Sequence, residues 1–176
     1  LVPAGQPYHR AQGPQASAEQ RLAMLQLAIA GRPGWLADDR EVHRPRHAYT
    51  IETLEEIRAE LPAGSALWFL VGGDSLQNLH TWHRWRKLFD VANLAVAVRP
   101  GFDPAHLHPD IARRWQAAQV ADFSNSAPSG TMRALTLPPV PLSATQLRTQ
   151  LAQGEDCSGQ IAKPVLAYIR QHQLYR

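Results

Sequence analysis

Two short runs in this sequence have the residue types and spacing to meet a polar ligand. The first is Leu142-Ser143-Ala144-Thr145-Gln146-Leu147-Arg148. Ser143 is placed to cap a helix, which leaves first-turn amides facing solvent, where an anion can sit. Thr145 and Arg148 are three residues apart and share a helix face. Arg148 thereby adds a guanidinium beside those amides, a group suited to phosphate oxygens. By spacing alone this is an ordinary capped helix with a surface arginine, because S-x-T-x-x-R recurs by chance. The second run is Gly72-Gly73-Asp74, at the end of an apolar stretch. Bare glycines at a strand end let a ligand approach the backbone, and an aspartate there can accept hydrogen bonds from ribose hydroxyls. A tight turn with an aspartate opening the next helix accounts for it equally well.

Other residues add single chemical possibilities. Trp82, near a strand end, can stack on a heteroaromatic ring, although most tryptophans serve as core. Arg99 leaves an apolar strand where it can meet a phosphate or carboxylate, or simply water. Pro7-Tyr8-His9-Arg10 sets a histidine and an arginine in a basic loop. His80 with His83, and His106 with His108, have spacings found in metal sites. Neither pair comes with an acidic or cysteine partner in an obvious cluster, so no metal site is assigned. Cys157 has no signature around it. Neither a P-loop lysine motif nor a G-x-G-x-x-G fingerprint occurs.

These positions need elements to hold them. Leu1 to Pro3 reads as the tail of a strand, followed by a Gly- and Pro-rich loop to Ala16. Ser17 and Gln20 have capping-box spacing ahead of a helix carrying Leu22, Leu25 and Ile29, which stops at Gly31. Trp35 to Ala37 fits a short strand, and Asp38 to His47 a loop. Thr50 is placed as the N-cap of a helix bearing Ile51, Leu54, Ile57 and Leu61, ending at Pro62. Ala66 to Val71 is apolar on both alternating faces, the pattern of a strand covered on both sides. A short helix through Trp82 to Phe89 is expected next, then a buried strand from Leu94 to Val98, ended by Arg99-Pro100-Gly101. Pro104 to Ala118 fits a helix with Ile111 and Trp115 inward. Asp122 to Gly130 is a polar loop and Ala134 to Leu137 a third strand. Ser143 caps a helix reaching Gln153, with Gly154 as its stop. Pro164 opens a last helix whose Val165, Tyr168 and Ile169 face inward.

Strands alternating with helices imply βαβ units and a mostly parallel sheet, in one domain spanning residues 1–176. In such sheets ligands bind beyond the carboxyl ends of the strands. That rule directs attention to Gly72–Asp74, Arg99–Gly101 and the loop before Ser143.

Composition narrows the class. Hydrophobic residues make up 44% and charged residues 19% of 176, ordinary values for a globular domain with a full core. The net charge of +3 suits anionic substrates, but no concentrated basic stripe marks a nucleic-acid binder. One cysteine excludes an internal disulfide and fits a reducing, cytoplasmic compartment. No apolar run is long enough to span a membrane as a helix. Nothing here sets the oligomeric state, so a homo-oligomer is left open.

Taken together, the runs resemble the bacterial nicotinate-nucleotide adenylyltransferase family. The resemblance follows chain order from Val2-Pro3-Ala4-Gly5-Gln6-Pro7-Tyr8-His9-Arg10 through Ser17 to Leu25. It continues through Tyr49-Thr50-Ile51-Glu52-Thr53-Leu54 and Leu70-Val71-Gly72-Gly73-Asp74-Ser75-Leu76. Trp82, Arg99-Pro100-Gly101, Leu142 to Arg148, Pro164-Val165, Tyr168-Ile169 and Leu174-Tyr175 complete it. No one motif is decisive, but the ordered set is specific. It implies a Rossmann-like α/β nucleotidylyltransferase fold with helices on both faces of the sheet. The implied activity is transfer of the adenylyl group of ATP, with Mg²⁺, to nicotinate mononucleotide in NAD biosynthesis.

The resemblance also implies roles. Ser143, Thr145 and Arg148 would bind ATP phosphates and carry catalysis. Gly72 and Asp74 would contact the nucleotide, with Arg10 a further phosphate contact. Trp82 would stack on the pyridine ring, and the Tyr49-Thr50 backbone would receive its carboxylate, with Arg99 nearby. His83 stands where relatives frequently carry tyrosine, which leaves its role open. Family members begin with a strand and a G-x-F-D-P-x-H-x-G-H loop whose histidines grip the triphosphate. None of the eight histidines here stands in that pattern, so a strand, that loop and a helix are expected ahead of Leu1. Rival readings are an adenylyltransferase for nicotinamide mononucleotide or phosphopantetheine, and a non-catalytic nucleotide-binding module. Trp82 and Tyr49-Thr50 favour a pyridine nucleotide, and the histidine motif upstream of Leu1 would remove the module.

Overall fold

The computed structural model describes residues 1–6, 15–99, 101–124, 127–138, 140 and 142–176. The expected roles of Pro7, Tyr8, His9, Arg10 and Pro100 therefore lie outside the described residues. The chain forms two compact units, Tyr49–Pro139 and Leu1–Ala48 with Val140–Arg176.

The first unit is built on a parallel sheet of order β1-β2-β3, with β1 Trp68–Gly72, β2 Asn93–Val98 and β3 Met132–Thr136. Trp68 pairs with Asn93 and Gly72 with Ala97, while Leu94 pairs with Met132 and Val98 with Thr136. This is the parallel arrangement expected from the two apolar runs, and all three strands leave the sheet at one end. Leu94, Val96 and Met132 are fully buried. They join Ile51 and Leu54 of α2 (Thr50–Glu60), Leu76 of α3 (Gly73–Gln77), and Leu88 and Phe89 of α4 (Leu88–Val91). Ile111 and Trp115 of α5 (Pro109–Ala117) close the same core. Burying each such side chain is worth roughly 1.5–3 kcal/mol. Leu70, on the opposite face of β1, is 61% exposed.

Several boundaries differ from the sequence reading. The helix expected over Trp82 to Phe89 is broken into a 3₁₀ turn at Trp85–Lys87 and the single turn α4. The cause is Arg84, which adopts left-handed backbone at φ 50° and stops a helix from running through. Pro104 to His106 form a separate 3₁₀ turn, and α5 starts only at Pro109, where the His108 ring accepts from the Asp110 N–H. Thr50 is the first helical residue of α2 rather than its N-cap. Tyr49 holds that place, and no side chain caps the helix.

In the second unit, α1 (Ala18–Ile29) opens with the Ser17–Gln20 capping box, both reciprocal bonds being made. None of its residues is fully buried, and Met24 packs on the cluster of Ala16, Ile169 and Leu174. Helix α6 (Ala144–Ala152) has Ser143 as N-cap, and Gly154 beyond it takes φ 74°. The last helix, α7 (Lys163–Gln171), starts one residue before Pro164 and buries Leu166 and Ile169. The strands expected at Leu1–Pro3 and Trp35–Ala37 shrink to two backbone bonds. The Leu1 amine donates to the Leu36 carbonyl at 2.7 Å, and the Asp38 N–H to the Leu1 carbonyl at 2.9 Å.

Two polar groups fix the loops of the sheet unit. Asn93, at the start of β2, is wholly buried. Its amide donates to the Ala127 carbonyl at 2.7 Å, and its oxygen accepts from the Thr131 N–H at 2.9 Å and hydroxyl at 2.7 Å. Arg58 of α2 donates to the carbonyls of Val91, Ser65 and Pro128 at 2.5–3.0 Å. Replacing Asn93 by leucine would take this partner from the part-buried Thr131 N–H and hydroxyl and from the Ala127 carbonyl. Asn93→Leu is therefore expected to lower unfolding free energy by about 2–4 kcal/mol, read from the urea midpoint at unchanged slope. A change below about 0.5 kcal/mol would show that the loop finds water instead.

Candidate active site

The carboxyl ends of β1 and β2 meet through one close contact. Gly72 is the last residue of β1 and the N-cap of α3, and Gly73 behind it is buried. A Cβ on Gly73 would lie 2.8 Å from Cδ2 of Phe102. Only a bare backbone lets that ring lie so near. Phe102 reaches it because β2 ends in a turn. Gly101 takes φ 90°, and the Phe102 N–H donates to the Arg99 carbonyl at 3.0 Å. The ring's other neighbour is Trp115, with centroids 5.6 Å apart. Asp74 sits exposed in the first turn of α3. Its carbonyl accepts from the Asn78 side chain at 3.0 Å, which holds the turn while the carboxylate faces outward. Arg99 is exposed at the exit of β2.

The start of α2 lies in this same unit. The Tyr49 carbonyl accepts from Glu52 and Thr53 at 3.0 and 3.3 Å. No side chain caps this helix start, where the positive end of the helix dipole lies. The Tyr49 ring lies 4.3 Å from that of His83, tilted by 31°. Trp82, half-buried, meets Phe69 edge to face at 6.3 Å. Its body is anchored in the core and its remaining surface is open, as a stacking platform requires. Spacing did not reveal the tie between Arg84 and Glu55, at 2.8 and 3.2 Å. No glycine or asparagine in Trp82-His83-Arg84-Trp85 signals the turn that makes it.

In the second unit, Ser143, Thr145 and Arg148 come together at the start of α6. The Ser143 hydroxyl accepts from the Gln146 N–H at 3.4 Å. Arg148 donates to the Thr145 hydroxyl at 3.2 Å, confirming the shared face. Thr145 is exposed and Arg148 half-buried. An open cavity of about 570 Å³ adjoins Ser143 and Thr145, lined also by Leu142, Gln146, Thr149 and Glu155. The helix start therefore offers a hydroxyl, a guanidinium and first-turn amides to an anion.

No three metal-ligating side chains cluster among the described residues, and no helix among them is long and apolar enough to cross a membrane. Cys157 is buried as a free thiol. The carboxyls held below their ordinary range lie outside this set. Arg40 does this for Asp38, Arg86 for Asp110, Ser158 for Asp156, and backbone hydrogen bonding for Glu19.

Comparison with known proteins places these features. Residues 1–150 match the family model for cytidylyltransferase-like proteins. A curated protein of Chromobacterium violaceum, named "Probable nicotinate-nucleotide adenylyltransferase", is 60% identical over 176 residues, covering 100% of this chain and 83% of that one. Its namesake in Laribacter hongkongensis is 53% identical, with 100% and 80% covered. Among solved structures, Plasmodium falciparum nicotinic acid mononucleotide adenylyltransferase complexed with NaAD aligns with a TM-score of 0.68 at 16% identity. That alignment covers 99% of this chain and 80% of that one, and shows the shared fold. The match along the whole chain assigns it plainly: it belongs to the nicotinate-nucleotide adenylyltransferase family of cytidylyltransferase-like proteins.

Proposed function

We infer that the protein transfers the adenylyl group of ATP to nicotinate mononucleotide, giving nicotinate adenine dinucleotide and pyrophosphate in NAD biosynthesis. The observation that carries this is the 60% identity, over all 176 residues, to a relative bearing that name. A phosphate oxygen of the mononucleotide attacks the α-phosphorus of ATP. As that O–P bond forms, the bond from the α-phosphorus to the pyrophosphate oxygen breaks. Such a transfer needs positioning and charge neutralisation, not a covalent nucleophile. A divalent cation accompanies ATP in this chemistry. We assign it as Mg²⁺ bound to the triphosphate as part of the substrate, since magnesium prefers phosphate oxygens and water.

The α6 start is assigned to the ATP phosphates, with Ser143 capping, Thr145 offering its hydroxyl and Arg148 its guanidinium. Gly72 and Asp74 are assigned to the nucleotide and Arg10 to a phosphate. Trp82 is the platform for the pyridine ring, and the α2 start at Tyr49-Thr50 receives the carboxylate, with Arg99 near the acceptor. We read the chain as one nucleotidylyltransferase domain, since the family match of residues 1–150 runs through both units. A cytoplasmic setting fits the single free thiol.

Two kinetic experiments in the full-length protein test these roles. Arg148→Ala should lower kcat/KM for ATP by the equivalent of about 1.5–3 kcal/mol while changing mononucleotide binding less, and Thr145→Ala should do less harm. Normal ATP kinetics in Arg148→Ala would make it an ordinary surface arginine. The second compares the acid and amide mononucleotides. A carboxylate gains from helix-start N–H groups and the dipole, whereas a carboxamide brings its own donors toward them. Wild type should favour the acid, Trp82→Ala should weaken use of both, and Thr50→Ala should change little, because the backbone does the reading. Equal use of both by wild type would refute carboxylate recognition at α2. An unaffected Trp82→Ala would make that tryptophan core only.

A further inference from the structure

The turn that presents Trp82 has a backbone its sequence does not favour. Trp85 N–H donates to the Trp82 carbonyl at 3.2 Å, closing a four-residue turn. Its third residue, Arg84, has φ 50° and ψ 34°. Glycine or asparagine normally fills such a place, because a Cβ is crowded in left-handed backbone. A residue without that freedom stays there only when its surroundings hold it. Here the holder is Glu55 of α2. The Arg84 guanidinium grips its carboxylate with two prongs, Nη2 to Oε1 at 2.8 Å and Nη1 to Oε2 at 3.2 Å. Both side chains are part-exposed, at 41% and 36%. A pair so placed adds little to global stability, but its fork geometry is directional. His83, between Trp82 and Arg84, meets Tyr49 at the N-cap of that same helix. The turn is thus fastened to α2 at two points.

We propose that Arg84, acting through Glu55, is a positioning residue for the acceptor site. It sets the distance between the Trp82 ring and the start of α2. This rests on the assignment of those two groups to the pyridine ring and its carboxylate. In that ligand the ring and carboxylate are joined rigidly. The platform and the donors must therefore keep a fixed separation, and slack between them weakens both contacts at once. ATP touches neither group, so its binding does not depend on the clamp.

The test is a double-mutant cycle in the full-length protein, with KM measured for each substrate. Arg84→Ala and Glu55→Ala should each raise the mononucleotide KM about three- to tenfold and leave the ATP KM within about twofold. The double variant should be no worse than the worse single, because one contact is lost once. Arg84→Lys should recover part of the loss, since it keeps the charge without the fork. Arg84→Gly, which suits the turn but cannot clamp, should behave like Arg84→Ala. Wild-type mononucleotide KM in Arg84→Gly, additive single effects, or equal rises in both KM values with a lowered melting temperature would each overturn the proposal. Trp82→Ala run in parallel separates the two readings. If it raises the mononucleotide KM while Arg84→Ala does not, only the clamp falls. If it leaves that KM unchanged, the stacking assignment falls and the clamp with it.

Discussion

The contact of Phe102 with the bare backbone of Gly73 is the constraint on which the sheet's working end depends. A parallel sheet brings its strand exits to one end but does not fix the loops that follow. Phe102 does that for the first two exits. Its ring lies where a Cβ of residue 73 would be, and it can do so because Gly101 permits the turn out of β2. The other side of the ring rests against Trp115, a core residue of α5. The path from Asp74 to Arg99 is therefore braced by hydrophobic packing, leaving their charged ends outward. Stability and exposure of charge are served by different atoms of the same short segments.

A helix start can attract an anion with little help from side chains. The starts of α2 and α6 supply amides and dipole by virtue of being helix starts. They differ in how they are finished. Ser143 closes part of the α6 start with its hydroxyl and leaves Thr145 and Arg148 alongside. Tyr49 gives α2 no side-chain cap at all. A capped start with a guanidinium suits a multiply charged group, and an uncapped one suits a single carboxylate.

The sequence carried the sheet well, because strands buried in a parallel sheet read as continuous apolar runs, as Leu94 to Val98 do. The Ser143–Thr145–Arg148 cluster was equally legible, since helix spacing fixes which residues share a face. Interactions set by tertiary packing were less so. Trp82 to Phe89 has helical composition, yet Arg84 turns left-handed, and its guanidinium meets a carboxylate of α2. Thr50 looked like a cap because threonine favours that role, while the chain placed Tyr49 there instead. Phe102 over Gly73 joins a residue beyond β2 to the first residue of α3, and no local pattern announces it.

Arg58 couples parts of the sheet unit that are far apart along the chain. Its guanidinium draws together carbonyls from Ser65, Val91 and Pro128, seven, 33 and 70 residues away. Loss of that one side chain would take the same partner from three segments at once, so substitutions in any two of them are not independent while Arg58 joins them.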